Sequence, residues 1–89
     1  MYLILIELKD GVKTKERINK HHSWIKKNYD NGYFLIAGPL VDKKSSGMII
    51  ADIDSIQEIN SIISQDEFYP NDANYEVHKM KANFIASNL

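Results

Sequence analysis

The sequence predicts an α+β domain laid out in the order β-α-β-β-α-β, and three observations predict it. Short apolar stretches with a two-residue alternation open and close the chain. Two stretches of helical periodicity lie between them, each with its own start signal. Between those helices come two strand-like segments in direct succession, which breaks the strict alternation of a parallel α/β chain.

The first element is Tyr2-Leu3-Ile4-Leu5-Ile6-Glu7-Leu8. Alternation puts Tyr2, Ile4, Ile6 and Leu8 on one face and Leu3 and Leu5 on the other, so both faces of this strand call for burial. From Thr14, which can cap a helix N-terminus, to Asn31 the pattern becomes helical, with Ile18, Ile25 and Tyr29 forming an apolar stripe among lysines. Gly32 is placed to stop that helix. The segment Tyr33 to Leu40 is apolar in both registers and predicts a strand buried on both faces, ended by Pro39. Asp42 to Gly47 reads as a turn, and Met48 to Ile53 as the second strand of a hairpin. Ser55-Ile56-Gln57-Glu58 has the capping-box spacing, followed by a stripe of Ile56, Ile59, Ile62 and Ile63. After a loop from Gln65 to Asn74, a last strand is expected from Tyr75 to Met80 or on to Phe84.

This order is that of the ferredoxin-like split β-α-β arrangement, a four-stranded antiparallel sheet with both helices on one face. The other face is left over. At least the first two strands are apolar there as well, which predicts a homodimer in which a second copy of the sheet covers the first. The alternative is a stable monomer with an apolar patch only at the centre of that face.

With 89 residues the chain reads as one domain, residues 1–89. A hydrophobic content of 44% and a charged content of 26% are those of a packed globular protein. Having no cysteine excludes disulfide and thiolate chemistry and fits a cytoplasmic setting. The apolar start has no basic residues ahead of it and meets Glu7 at once, so neither a signal peptide nor a membrane span is expected. A net charge of −1 gives no general attraction to nucleic acid or anionic lipid. The basic residues of the first helix are mixed with Glu16 and Asp30 and read as a solvated face. No phosphate-binding glycine motif is present.

Three histidines could move protons near neutral pH: His21, His22 and His78. Adjacent helical side chains diverge by about 100°, so His21 and His22 are badly placed to share a metal ion, and no metal site is expected. Both flank the apolar stripe. Trp24 widens that stripe toward His21, which makes His21 the histidine expected to be partly buried, either as a functional group or as a border residue filling space. Asp66 is a candidate to fix the tautomer of a histidine, and otherwise a loop or cap residue. Gly38-Pro39 either ends a strand or lets backbone approach a ligand.

The set His21-His22-Ser23-Trp24-Ile25, Gly32, Ala37-Gly38-Pro39-Leu40 and Asp66-Glu67-Phe68 resembles the YciI-like (YCII-related) family over nearly the whole chain, and His21 falls at that family's histidine position. The resemblance implies a dimeric α/β-barrel, with a site between helix and sheet holding a His-Asp pair, here His21 and Asp66. It further implies proton-transfer chemistry on small cyclic or aromatic compounds, such as elimination of chloride. Two positions depart from the pattern. Glu67 stands where the family has proline, and Ile18 stands where an arginine is common, with Arg17 one place away as a substitute anchor for substrate.

Three functions are therefore expected to compete. The first is a lyase or isomerase without cofactor, with His21 as base, Asp66 orienting it, and a pocket of Trp24, Phe34 and Phe68 beside Gly38 and Pro39. The second is a non-enzymatic dimer that binds a metabolite in the same pocket or serves as an accessory protein. The third is a haem- or quinone-handling monooxygenase of the wider barrel superfamily.

Overall fold

The structure, a computed structural model, describes residues 1–89. Its elements run β1 (Tyr2–Leu8), α1 (Lys15–Asp30), β2 (Phe34–Pro39), β3 (Ser46–Ala51), α2 (Ile56–Ile63) and β4 (Ala73–Lys79). The strands form one antiparallel sheet in the order β2-β3-β1-β4. The expected α+β, ferredoxin-like order is therefore the observed one.

On β1 the alternation works as its sequence implies: Tyr2, Ile4, Ile6 and Leu8 are buried, and the residues between them are half-buried. The buried set faces Ile49 and Ala51 of β3, and Ala73, Tyr75 and Val77 of β4 across the ladder. Above it pack Trp24 of α1 and Ile59, Ile62 and Ile63 of α2, with Phe34 and Phe68 completing the core. Removing a fully buried member such as Ile59 by substitution to Ala would cost about 2–5 kcal/mol.

Both helices start where their caps predict. The Thr14 hydroxyl accepts from Arg17 N–H, and the Ser55 hydroxyl from Glu58 N–H. The end of α1 is a paired closure in which Tyr33 N–H bonds to Asn28 C=O and Gly32 N–H to Tyr29 C=O. That closure needs a left-handed residue, and Gly32 supplies it at φ 83°. No helix is long and apolar enough to cross a membrane.

Three expectations are corrected. The buried face of α1 is His21, Trp24 and Asn28, not the stripe centred on Ile18, Ile25 and Tyr29. Ile18 and Ile25 only border it, and Tyr29 is 60% exposed. The reason is that Asn28 satisfies its own amide on Trp24 C=O, which lets a polar residue replace an apolar one at the interface.

Strand β2 is not buried on both faces. It is an edge strand, paired only with β3, and Ala37, Gly38 and Pro39 are exposed in the single chain. A register shift between Phe34 and Ile36 explains its double apolar register: Phe34 turns to the core opposite Ala51, and Ile36 to the open face opposite Ile50.

Strand boundaries also move. β3 begins two residues earlier than expected and β4 ends at Lys79, because β1 dictates both: Glu7 pairs with Ser46, Leu8 with Ala73 and Tyr2 with Lys79. Past Met80, whose N–H reaches Met1 C=O, there is no partner left to extend the strand toward Phe84.

Candidate functional site

Helix α1 lies over the sheet with a cleft of about 1130 Å³ between it and the β2–β3 hairpin. Its floor is made by Ile6, Leu8 and Ile49, and its helix wall by Ile18, His21 and Ile25. The β2–β3 hairpin closes the far side. Gly38 and Pro39 line the cleft there, and a side chain at Gly38 would meet no atom within 4 Å. Space is tight instead at Gly47, where an added Cβ would come within 3.1 Å of the Gly38 carbonyl oxygen. The absence of a side chain at Gly47 thus lets the two hairpin strands approach there.

His21 is the buried histidine and His22 the exposed one, as the position of Trp24 predicts. The His21 ring sits between two aromatic neighbours, stacked against Trp24 at 5.8 Å and edge-on to Phe68 at 5.5 Å. These contacts fix the plane of the imidazole. Its Nδ1 lies 2.6 Å from Asp66 Oδ1, so the structure brings together the two residues the sequence singles out. Asp66 has no exposed side-chain surface.

A third member was not foreseen. The Tyr75 hydroxyl donates to Asp66 Oδ2 at 2.5 Å, so each carboxylate oxygen has its own donor. Burial, and secondly this hydrogen bond, push the Tyr75 phenol well above its ordinary range. The signal that could have located it is weak: an aromatic at an inward position of the last strand, in register with Ile6.

The tautomer follows from these bonds. A carboxylate accepts hydrogen bonds, so Nδ1 carries the hydrogen and Nε2 of the neutral ring carries the lone pair. Nε2 makes no hydrogen bond, and no buried polar side-chain atom of the molecule lacks a partner. Nε2 is therefore accessible, and His21, whose side chain keeps a small exposed surface, is one of the residues lining the cleft.

The loop carrying Asp66 is held from α1 by Arg17. Its guanidinium reaches Glu67 Oε1 at 3.2 Å, the Glu67 carbonyl at 3.2 Å, Asp72 Oδ2 at 3.0 Å and the Val12 carbonyl at 3.3 Å. It also lies over the Phe68 ring, 4.6 Å from the centroid. The bond to Asp72 is the main cause of a raised Arg17 pKa, with Glu67 adding to it. Arg17 is thus spent on the loop and is not an anchor in the cleft. Glu67, which replaces a rigid proline in the pattern, is one of the groups through which the loop is tied down.

The aromatic trio expected around the ligand stands elsewhere. Trp24, Phe34 and Phe68 are core residues behind the His21–Asp66 pair and do not line the cleft. Trp24 turns its indole N–H to the Ile62 carbonyl at 2.9 Å, which joins the two helices, and its ring meets Phe34 edge-on. Their burial makes them supports of the site. His78 is on the other side of the sheet, 3.3 Å from Glu76. No three histidine, aspartate or glutamate side chains converge in a way that could hold a metal ion.

Comparison with solved structures finds the same fold in 5-chloro-2-hydroxyhydroquinone dehydrochlorinase (TftG) from Burkholderia phenoliruptrix AC1100, in complex with 2,5-dihydroxybenzoquinone. The match has a TM-score of 0.62 at 14% identity and covers 91% of this chain and 94% of that one. No curated protein matches the chain in sequence. The model of the YCII-related domain matches residues 1–81, nearly the whole chain, and the chain therefore belongs to the YCII-related family.

Proposed function

We propose that the protein is a small-molecule enzyme of the lyase or isomerase type, in which His21 Nε2 takes a proton from a substrate carbon in the cleft. The observation that carries this reading is the buried 2.6 Å contact between His21 Nδ1 and Asp66, with Nε2 left open beside a mainly apolar cleft. Asp66 keeps the lone pair on the outward nitrogen and stabilises the imidazolium formed when the proton arrives. In an elimination, the C–H pair becomes the new double bond and the leaving group departs with its own bonding pair. In an isomerisation, the imidazolium returns the proton to a second carbon. Neither step calls for a group beyond the chain's own side chains. The dehydrochlorinase of the same fold supports the choice of small ring compounds as substrates, and the cysteine-free chain fits a cytoplasmic setting.

The same reading includes a homodimer. The face of the sheet away from the helices carries Leu3, Leu5, Met48 and Ile50 at its centre, with Ile36 beside them and 42% exposed. Glu7, Glu76 and His78 border this strip. A second copy laid on it would bury the apolar centre and leave the charged border at the rim. Leu5→Glu is expected to give a monomer by sedimentation, and an unchanged wild-type monomer at high micromolar concentration would contradict the dimer.

Turnover is tested by incubating the protein with chlorinated hydroquinones and enolisable cyclic ketones, following chloride release and deuterium uptake from D₂O. With an active compound, His21→Ala is expected to lower the rate by about 10²–10⁴-fold. Full activity in that variant would overturn the reading. Binding without exchange or turnover across the set would favour a metabolite-binding dimer that uses the same pocket.

A further inference from the structure

We propose that the cleft takes an organic anion, a carboxylate or phenolate on a small apolar ring, with the charged oxygen held at Lys13 and the reacting carbon toward His21. This rests on reading the cleft as the active site and adds to it the chemical class of the ligand.

The charge on the cleft is one-sided. Lys13, Lys26, Lys43 and Lys44 line it, against Asp42 as its one acidic residue, although the chain as a whole has a net charge of −1. Two of the four lysines are already neutralised from outside the cleft, Lys26 by Asp30 at 2.7 Å and Lys43 by Glu7 at 3.5 Å. Lys13 and Lys44 form no ion pair with any carboxylate.

Lys13 differs from Lys44 in being held in place. Its ammonium donates to the Ser45 hydroxyl, a neutral acceptor that fixes the position of the charge without cancelling it. Ser45 is itself fixed: it is the one residue other than glycine with a left-handed backbone, at φ 58°, and its carbonyl accepts from Leu8 N–H at 2.9 Å. A serine kept in a conformation normally left to glycine, with its hydroxyl under an unpaired ammonium, is a preorganised site for an anion at the mouth of the cleft.

The rest of the lining limits what the anion can be. Ile6, Leu8, Ile18, Ile25 and Ile49 line the same cleft, so the body of the ligand is expected to be apolar. The chain's single arginine, Arg17, is committed to Glu67 and Asp72, so no guanidinium fork is left to grip a phosphate in two places. One ammonium above an apolar floor suits a single negative oxygen on a ring.

Benzoate and benzamide are the probes, since they share ring and shape and differ in charge. Their affinities are measured by NMR titration of the full-length protein. Wild type is expected to bind benzoate about tenfold more tightly than benzamide, the difference expected of one charge-assisted contact. Both should shift resonances of His21 and the β2–β3 loop. Lys13→Gln, which can still donate to Ser45, is expected to bring the two affinities together by weakening benzoate alone, whereas Lys44→Gln keeps the preference. Equal affinity in wild type, binding of neither probe at millimolar concentration, or loss of the preference with Lys44→Gln in place of Lys13→Gln would overturn the proposal. His21→Ala separates this from the proposed reaction. It is expected to keep the benzoate preference while losing turnover, so a preference that persists beside an unaffected rate defeats only the reaction, and turnover without the preference defeats only the anion site.

Discussion

Asp66 holds His21 from inside the protein: its carboxylate, with no exposed side-chain surface, lies 2.6 Å from the imidazole Nδ1 and leaves Nε2 as the outward nitrogen. The dependence runs in one direction along the chain. Arg17 and Glu67 fix the loop, the loop fixes Asp66, and Asp66 fixes the imidazole.

Tyr75→Phe removes the donor from Asp66 Oδ2 and leaves a buried carboxylate oxygen without a partner. The expected cost is about 1–3 kcal/mol, seen as a lower urea midpoint at unchanged m-value.

Tyr75 also shapes the alkaline limb of stability. Its phenol pKa is raised in the folded state above the unfolded value of 10.0, first by burial and then by Asp66. The folded chain therefore keeps a proton that the unfolded chain sheds, so this contribution is complete below about pH 10 and is lost as pH rises above it. Urea unfolding at pH 9, 10 and 11 should show wild type losing more stability than Tyr75→Phe over that interval.

Arg17→Lys should not rescue the loop. A single ammonium cannot reproduce a fork shared among Glu67, Asp72 and Val12, nor the planar group lying over Phe68. Amide exchange in residues 65–72 is expected to accelerate in both Arg17→Lys and Arg17→Ala, while protection in β1 and β3 stays as in wild type.

Trp24→Phe keeps an aromatic beside His21 and deletes the hydrogen bond to the Ile62 carbonyl. The expected loss is about 1–3 kcal/mol of stability by denaturant unfolding, from the missing bond and the smaller ring. The benzoate preference should persist, because Trp24 is behind the cleft and not on its wall.

Much of this was legible in the sequence because the informative residues are local. Two caps, the Gly32 stop and the alternation in β1 fix element type within a few residues of themselves, and their reading agrees with the structure. Placing His21 inward and His22 outward needed only the helix period and Trp24. What escaped was set by partners distant in sequence. The ends of β3 and β4 are chosen by β1, and the edge position of β2 is a property of strand order. Asn28 is buried because its amide bonds within its own helix, which an apolar-stripe count cannot register. Tyr75 and Arg17 join the site through contacts nine and fifty or more residues away in sequence, and the one-residue offset that made Arg17 a doubtful substrate anchor suits it instead to the loop.

The most direct test of the His21–Asp66 pair is ¹⁵N NMR of the imidazole nitrogens, which reads which nitrogen carries the proton in the neutral ring. In wild type, neutral His21 is expected to be protonated at Nδ1 with Nε2 bare. In Asp66→Asn the proton is expected to move to Nε2, because Tyr75 claims the amide oxygen and the amide NH₂ turns to Nδ1. A wild-type His21 protonated at Nε2, or one whose tautomer ignores Asp66→Asn, would rule out the pairing and remove His21 as an oriented base.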